Sequence, residues 1–81
     1  MLNRIKEAKN RVAGTKQVLR AIENGNIAQV FLARDADEFL LNKVRQACED
    51  HRVECVMVET MQELGKACAL DVGTACAGLL K

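Results

Sequence analysis

Two basic residues stand where a short helix would begin. In residues 14–25, GTKQVLRAIENG, Gly14 and Gly25 punctuate a segment whose apolar positions Val18, Leu19 and Ile22 share one helical face. Thr15 is the expected N-cap, which leaves Lys16 and Gln17 in the first turn among backbone N–H groups that lack helical partners. A lysine beside the positive end of a helix dipole is unfavourable for folding, where an acid would be favoured. Arg20, four residues on, shares the face of Lys16. Helix start, ammonium and guanidinium together make a small anion site of the kind that takes phosphate. Solvated surface charge is the competing reading of the same side chains.

Catalytic chemistry has little to stand on. The chain contains no serine, so a Ser-His-Asp triad is impossible, and His51, its one histidine, is placed at a helix end. Gly-rich phosphate loops of the GxGxxG or P-loop kind are absent. Asp35 and Asp37 form a carboxylate pair, but two acids at a turn before a helix are expected to cap it. The four cysteines (Cys48, Cys55, Cys68, Cys76) form no C-x-x-C pair and sit where the local pattern wants a small apolar residue. They are read as reduced core thiols of a cytoplasmic protein, with no zinc and no other cofactor expected.

The bulk numbers set limits around these residues. Eighty-one residues allow a single domain, and 49% hydrophobic content is enough for a packed core. No run approaches the roughly 20 apolar residues of a membrane span, and no signal-peptide pattern opens the chain. A net charge of +1 means that any nucleic-acid affinity has to come from a local patch. The two aromatics, Phe31 and Phe39, both lie inside apolar runs, so stacking of RNA bases on exposed aromatic rings is not expected.

The basic turn is held by the elements on either side of it in the chain. Leu2, Ile5 and Ala8 predict a short amphipathic N-terminal helix, and residues 11–13 a brief strand. The run AQVFLA, residues 28–33, suits a strand covered on both faces. After the turn at Arg34–Asp37, a helix follows with Phe39, Leu40, Val44, Ala47 and Cys48 as its apolar stripe. Residues 53–58, VECVMV, form a further strand, and Thr60-x-x-Glu63 is a capping box for a helix carrying Met61, Leu64 and Cys68. Residues 70–74 are a loop with two branched apolar residues, Leu70 and Val72, which either fold back into the core or face solvent. The small residues of 74–80, TACAGLL, predict a strand inside the sheet, because small side chains let helices pack close on both faces. The alternation predicts an α/β fold, a three-layer α/β/α sandwich around a small mixed four-stranded sheet. Helix starts and strand C-terminal ends would then share one edge, carrying Arg34, Asp35 and the turn at Gly14.

Three features thus converge on an interaction surface: the basic helix start, the turn at Arg34, and the loop of residues 70–74. Two partner classes fit it, an RNA or a protein that docks on Leu70 and Val72.

Three segments bear a resemblance. G-T-K-Q-x-x-x-A-x-x-x-G at residues 14–25, V-F-L-A-R-D-A-D at 30–37 and L-G-K-A-C-A-L-D-V-G at 64–73 resemble the kink-turn-binding ribosomal-protein family, above all its short bacterial YbxF-like branch. The resemblance spans residues 5–80, with the segments in the family's order and spacing. It implies a single, monomeric, non-enzymatic domain that recognises kink-turns, sharply bent duplexes with a bulge beside tandem sheared G·A pairs, in ribosomal or riboswitch RNA. The ribosome is then a possible site of action, and neither DNA nor a membrane is an expected partner. The positions that meet the G·A pairs map to Lys16 and Gln17, with Gly14 and Thr15 beside them and Arg20 on the phosphates. Leu70, Asp71, Val72, Gly73 and Thr74 form the loop that covers the bulged nucleotide, with Lys66 and Arg34 near the backbone. Asp71 is expected to cap or turn backbone rather than meet RNA. Archaeal and eukaryotic members usually carry asparagine and glutamate where this chain has Lys16 and Gln17, and often proline at the place of Gly73 and an acid at the place of Arg34.

Overall fold

The computed structural model describes residue 5 and residues 10–81. Its described elements run β1 (Arg11–Ala13), α1 (Thr15–Glu23), β2 (Ile27–Ala33), α2 (Glu38–Asp50), β3 (Glu54–Val58), α3 (Met61–Ala67) and β4 (Cys76–Leu80). Of the predicted N-terminal helix, Leu2 and Ala8 lie outside the described residues, whereas Ile5 is fully buried.

The sheet order is β1-β4-β2-β3. β4 runs antiparallel to both β1 and β2, while β2 and β3 are parallel, so the sheet is mixed. The small residues of β4 do place it inside the sheet. At Gly78 a Cβ would meet the end of the Ile27 side chain, so glycine leaves room there for Ile27 of β2 to pack over β4.

The two sheet faces carry two cores. Val30, Leu32 and Cys76 join Val18, Ala21 and Ile22 of α1 and Leu41, Val44 and Cys48 of α2 on one face. Phe31, Ala33, Ala77 and Leu79 join Leu64 and Ala67 of α3, with Ile5, on the other. Alternate residues of β2 and β4 thus point to opposite helical layers, which is why both strands read as nearly unbroken apolar runs. The result is the three-layer α/β/α sandwich.

Helix starts follow local chemistry, with two corrections. Asp37 caps α2 by accepting hydrogen bonds from the backbone N–H groups of Phe39 (2.9 Å) and Leu40 (3.2 Å). Thr60 caps α3 through Glu63 N–H at 3.0 Å. Thr15, by contrast, is the first helical residue of α1, and Gly14 holds the N-cap with φ +95° and no side-chain cap. Only glycine takes that backbone region without strain. Phe39 is the second correction. It is 75% exposed, because Leu41, Val44 and Cys48 form the buried stripe of α2. Phe39 lies two residues before Leu41, about 200° around the helix, and points away from the sheet.

Candidate nucleic-acid interface

The predicted edge exists and is held by backbone hydrogen bonds. Gly14 N–H donates to Cys76 O (3.0 Å), Ala33 N–H to Ala75 O (2.9 Å), and Arg34 N–H to Val58 O (2.8 Å). These bonds draw the start of α1, the C-terminal ends of β2 and β3, and the entry to β4 to one side of the sheet. The Cys76 thiol also donates to Thr15 Oγ1 at 3.7 Å, tying the first residue of α1 to β4.

On this edge Lys16, Gln17 and Arg20 are all exposed. The first turn of α1 contains no acidic residue. The first intrahelical bond is donated by Val18 N–H to Gly14 O at 3.0 Å, so the N–H groups ahead of it point outward along the axis. Lys16 therefore stands at a positive helix end, and no acid in the first turn offsets it. Arg20, in the last turn, is favourably placed for the helix, which Lys16 is not.

The loop beyond α3 is pinned at both ends and outward in the middle. Ala69 N–H donates to Lys66 O (3.0 Å), Leu70 N–H to Gly65 O (2.9 Å), and Thr74 N–H to Met61 O (3.1 Å). Thr74 is buried and its hydroxyl donates to Cys76 O at 2.9 Å, so of the predicted loop it is the anchor rather than a surface group. Between the anchors Leu70 is 38% and Val72 72% exposed, so these residues face solvent and do not fold into the core. Ala69 makes the turn at φ +62°.

Two glycines let the loop lie against α3. A Cβ at Gly65 would meet the carbonyl oxygen of Val72, and one at Gly73 would come within 3.1 Å of Met61 Cβ. A cavity of about 630 Å³ lies beneath, lined by Asp35, Met61, Lys66, Leu70, Asp71 and Val72 among others. Lys66 is exposed at its rim.

The acids divide differently from expectation. Asp71 is exposed on the cavity wall, and among the described residues no hydrogen bond makes it a cap. Asp35 does that work across the chain, accepting from Met61 N–H at 2.8 Å and so fixing the start of α3 beside the Arg34 turn. Arg34 pairs with Glu59 at 3.5 Å, both side chains well exposed, so the pair is screened and its guanidinium is easily released to another anion.

The four cysteines are free thiols and do not form a uniform core. Burial pushes Cys68 and Cys76 up from the ordinary thiol range. Cys48 and Cys55, seven positions apart in sequence, pack in the same apolar cluster and line one cavity. No spacing rule exposes that pair. Among the described residues no group of three or more His, Cys, Asp or Glu side chains is placed to hold a metal ion.

Comparison with known proteins places this geometry. The profile described as the ribosomal protein L7Ae/L30e/S12e/Gadd45 family matches residues 1–81. The chain belongs to that family. It is 46% identical over 67 residues to an RNA-binding protein of Caldanaerobacter subterraneus subsp. tengcongensis, covering 83% of this chain and 82% of the relative. To the RNA-binding protein YbxF of Geobacillus stearothermophilus it is 40% identical over 70 residues, covering 86% and 85%. The solved structure of a Giardia lamblia 15.5kD RNA binding protein superposes with a TM-score of 0.92 at 30% identity, over 99% of this chain and 70% of that one. The resemblance to YbxF-like members, read from three sequence segments, thus holds over 86% of the chain, and the family profile over all of it.

Proposed function

We propose that this L7Ae-family chain is a non-enzymatic RNA-binding protein that recognises kink-turns and stabilises their bent form. The observation that carries the reading is a juxtaposition. A positively charged helix start with Lys16, Gln17 and Arg20 exposed lies on the same sheet edge as an outward apolar loop with Leu70 and Val72 exposed. The first half suits phosphates and base edges. The second suits an unstacked base, which needs a dry face more than hydrogen bonds. A kink-turn presents both kinds of group a short distance apart, whereas a regular duplex presents only the first. The names of the relatives support an RNA partner.

In this reading Lys16 and Gln17 meet the sheared G·A pairs, with the backbone of Gly14 and Thr15 beside them. Arg20, Lys66 and Arg34 neutralise phosphates, and residues 70–73 cover the bulged nucleotide. Because the protein favours the bent state, it acts by shifting a population rather than by chemistry. Ribosomal RNA and riboswitches are both places where such an element occurs, and a monomer suffices to bind it.

The test is binding to a kink-turn RNA compared with the same RNA whose sheared G·A pairs are replaced by Watson–Crick pairs. Tight binding to the first and loss on the second is the expected result. Equal binding to both would reduce the protein to a non-specific duplex binder. Absence of binding to either would transfer the edge to a protein partner on Leu70 and Val72.

A further inference from the structure

One cluster lies away from the nucleic-acid edge and plays no part in the proposed function. Cys48 sits in the last turns of α2 and Cys55 is the second residue of β3. A tight reversal joins the two elements. His51 N–H donates to Ala47 O (3.1 Å), Val53 N–H donates to Cys48 O (2.8 Å), and Arg52 turns the chain at φ +55°. This reversal lays the start of β3 beside Cys48, and the two cysteines pack in one apolar cluster and line one cavity. β3 is an edge strand, and Cys55 on it is half-buried rather than buried.

The surroundings favour chemistry at one sulfur. A cavity of about 330 Å³ opens here, lined by both cysteines with Arg45, Arg52 and Met57 among its other walls. Cys55 is half-buried and Cys48 is only 2% exposed. The neighbouring Cys48 thiol is the main cause holding Cys55 down at about 7; burial opposes it and the Arg45 charge assists. Cys48 is correspondingly pushed up, as the proton donor of the pair. A reachable thiolate beside a buried thiol and a cation is the arrangement of an attacking and a resolving cysteine. Cys68 belongs to the core on the other face of the sheet, and Cys76 donates to Thr15.

We propose that Cys48 and Cys55 form a site of reversible oxidation, at which a hydroperoxide entering the α2–β3 cavity closes an intramolecular disulfide. In the first step the Cys55 thiolate attacks a peroxide oxygen. A sulfur–oxygen bond forms, the O–O bond breaks, and the departing hydroxide or alkoxide takes up a proton. In the second step the Cys48 sulfur attacks the Cys55 sulfenic sulfur. The S–S bond forms, the S–O bond breaks, and the leaving hydroxide takes the Cys48 proton as water. For hydrogen peroxide the sum is two thiols and one peroxide giving one disulfide and two waters, the thiols losing two electrons and the peroxide gaining them. Two equivalents of a small thiol return the pair to its reduced form by exchange.

The test uses the reduced full chain treated with hydrogen peroxide, blocked with iodoacetamide and digested with trypsin. Cleavage after Arg45, Arg52 and Lys66 puts Cys48 and Cys55 on separate peptides, residues 46–52 and 53–66. The expected product is those two peptides joined, two hydrogens lighter than their sum and separated again by dithiothreitol. Cys76→Ser should leave the link intact, while Cys48→Ser should divert Cys55 to sulfenic and higher acids. Because the link is mapped first in the unsubstituted chain, the result does not depend on a variant folding. Three results would overturn the proposal: a link through Cys68 or Cys76, a link between molecules, or oxidation of Cys48 and Cys55 only after denaturation.

Discussion

Replacing Gly65 by alanine should separate the loop's role from that of the core. Gly65 lies in α3 with its Cα facing the loop, and a Cβ there would meet Val72 O and come within 3.0 Å of both Val72 C and Gly73 Cα. All three are backbone atoms, so no rotamer change can relieve the contact. Alanine improves intrinsic helix propensity by about 1 kcal/mol over glycine, while an overpacked methyl costs about 1–3 kcal/mol. The net loss of stability is therefore small, about 0–2 kcal/mol, because the loop is exposed and can move outward. Movement has its cost elsewhere. The carbonyl of Val72 must back away from α3, taking Leu70 and Val72 off the position they hold beside Lys66. If these side chains cover a bulged base, about 1–3 kcal/mol of base contact is at stake, or about 5- to 150-fold in affinity. Urea unfolding and titration of a fluorescent kink-turn RNA at fixed salt measure the two quantities on one preparation. Parent-like affinity in Gly65→Ala would refute the reasoning, since the clash would then have no consequence at the loop. A stability loss above about 4 kcal/mol would refute it differently, by showing that the loop is a structural wall rather than a movable cover.

Lys16→Ala and Arg20→Ala should each weaken RNA binding without altering the melting temperature, and each should lower the slope of log affinity against log salt by about 0.7–0.9; unchanged slopes in both would remove the helix start from the interface. Leu70→Asp should reduce RNA affinity with little loss of stability, because Leu70 is already 38% exposed, and a large drop in melting temperature would return it to the core. Asp37→Ala removes the acceptor for two N–H groups at the start of α2, and urea unfolding should show a loss of about 0.5–2 kcal/mol. Native alkylation of Cys55 should rise through a midpoint at about pH 7, while Cys68 and Cys76, pushed up by burial, stay protonated. Since those two thiols ionise more readily once unfolded, their contribution to stability should be intact below the ordinary thiol value of 9.0 and fall as pH rises beyond it.

The elements that periodicity defines were legible because one physical demand set each of them. The run from Val30 to Ala33 reads as a two-sided strand, and its four residues are at most 1% exposed. The small residues of β4 foretold an interior strand for the same reason. Where two demands overlapped, the sequence was ambiguous. Phe39, Leu40 and Leu41 are three apolar residues in a row, and period alone does not say which of them faces the sheet; the geometry of the sheet selects Leu41. At the start of α1 the sequence points to Thr15 as the cap, and the bond from Gly14 N–H to Cys76 O gives that place to glycine. The loop at Leu70 has no period at all. Its direction is set by three backbone bonds to α3 that hold its ends, and such bonds leave no trace in composition. The helix-start cations were visible as a local electrostatic misfit. The Cys48–Cys55 contact was not, because it depends on how a helix and the following strand reverse.

The place of β4 has a consequence for how the molecule assembles. It follows every other described element in the chain, yet it lies between β1 and β2 and supplies the hydrogen bonds that join them. β1 pairs with β4 alone, in the register Arg11 with Leu79, so one flank of the sheet waits on a partner 68 positions downstream. During synthesis α1, β2, α2 and β3 can form a local, partly closed unit, since β2 and β3 are parallel neighbours joined by α2. That unit still carries β2 with one bare edge and an apolar underside, the kind of template that invites wrong pairing. Only when residues 76–80 emerge does the edge close. A chain released just short of that segment would lose the middle of its sheet rather than its margin, and should behave as an aggregating fragment instead of a slightly shortened protein.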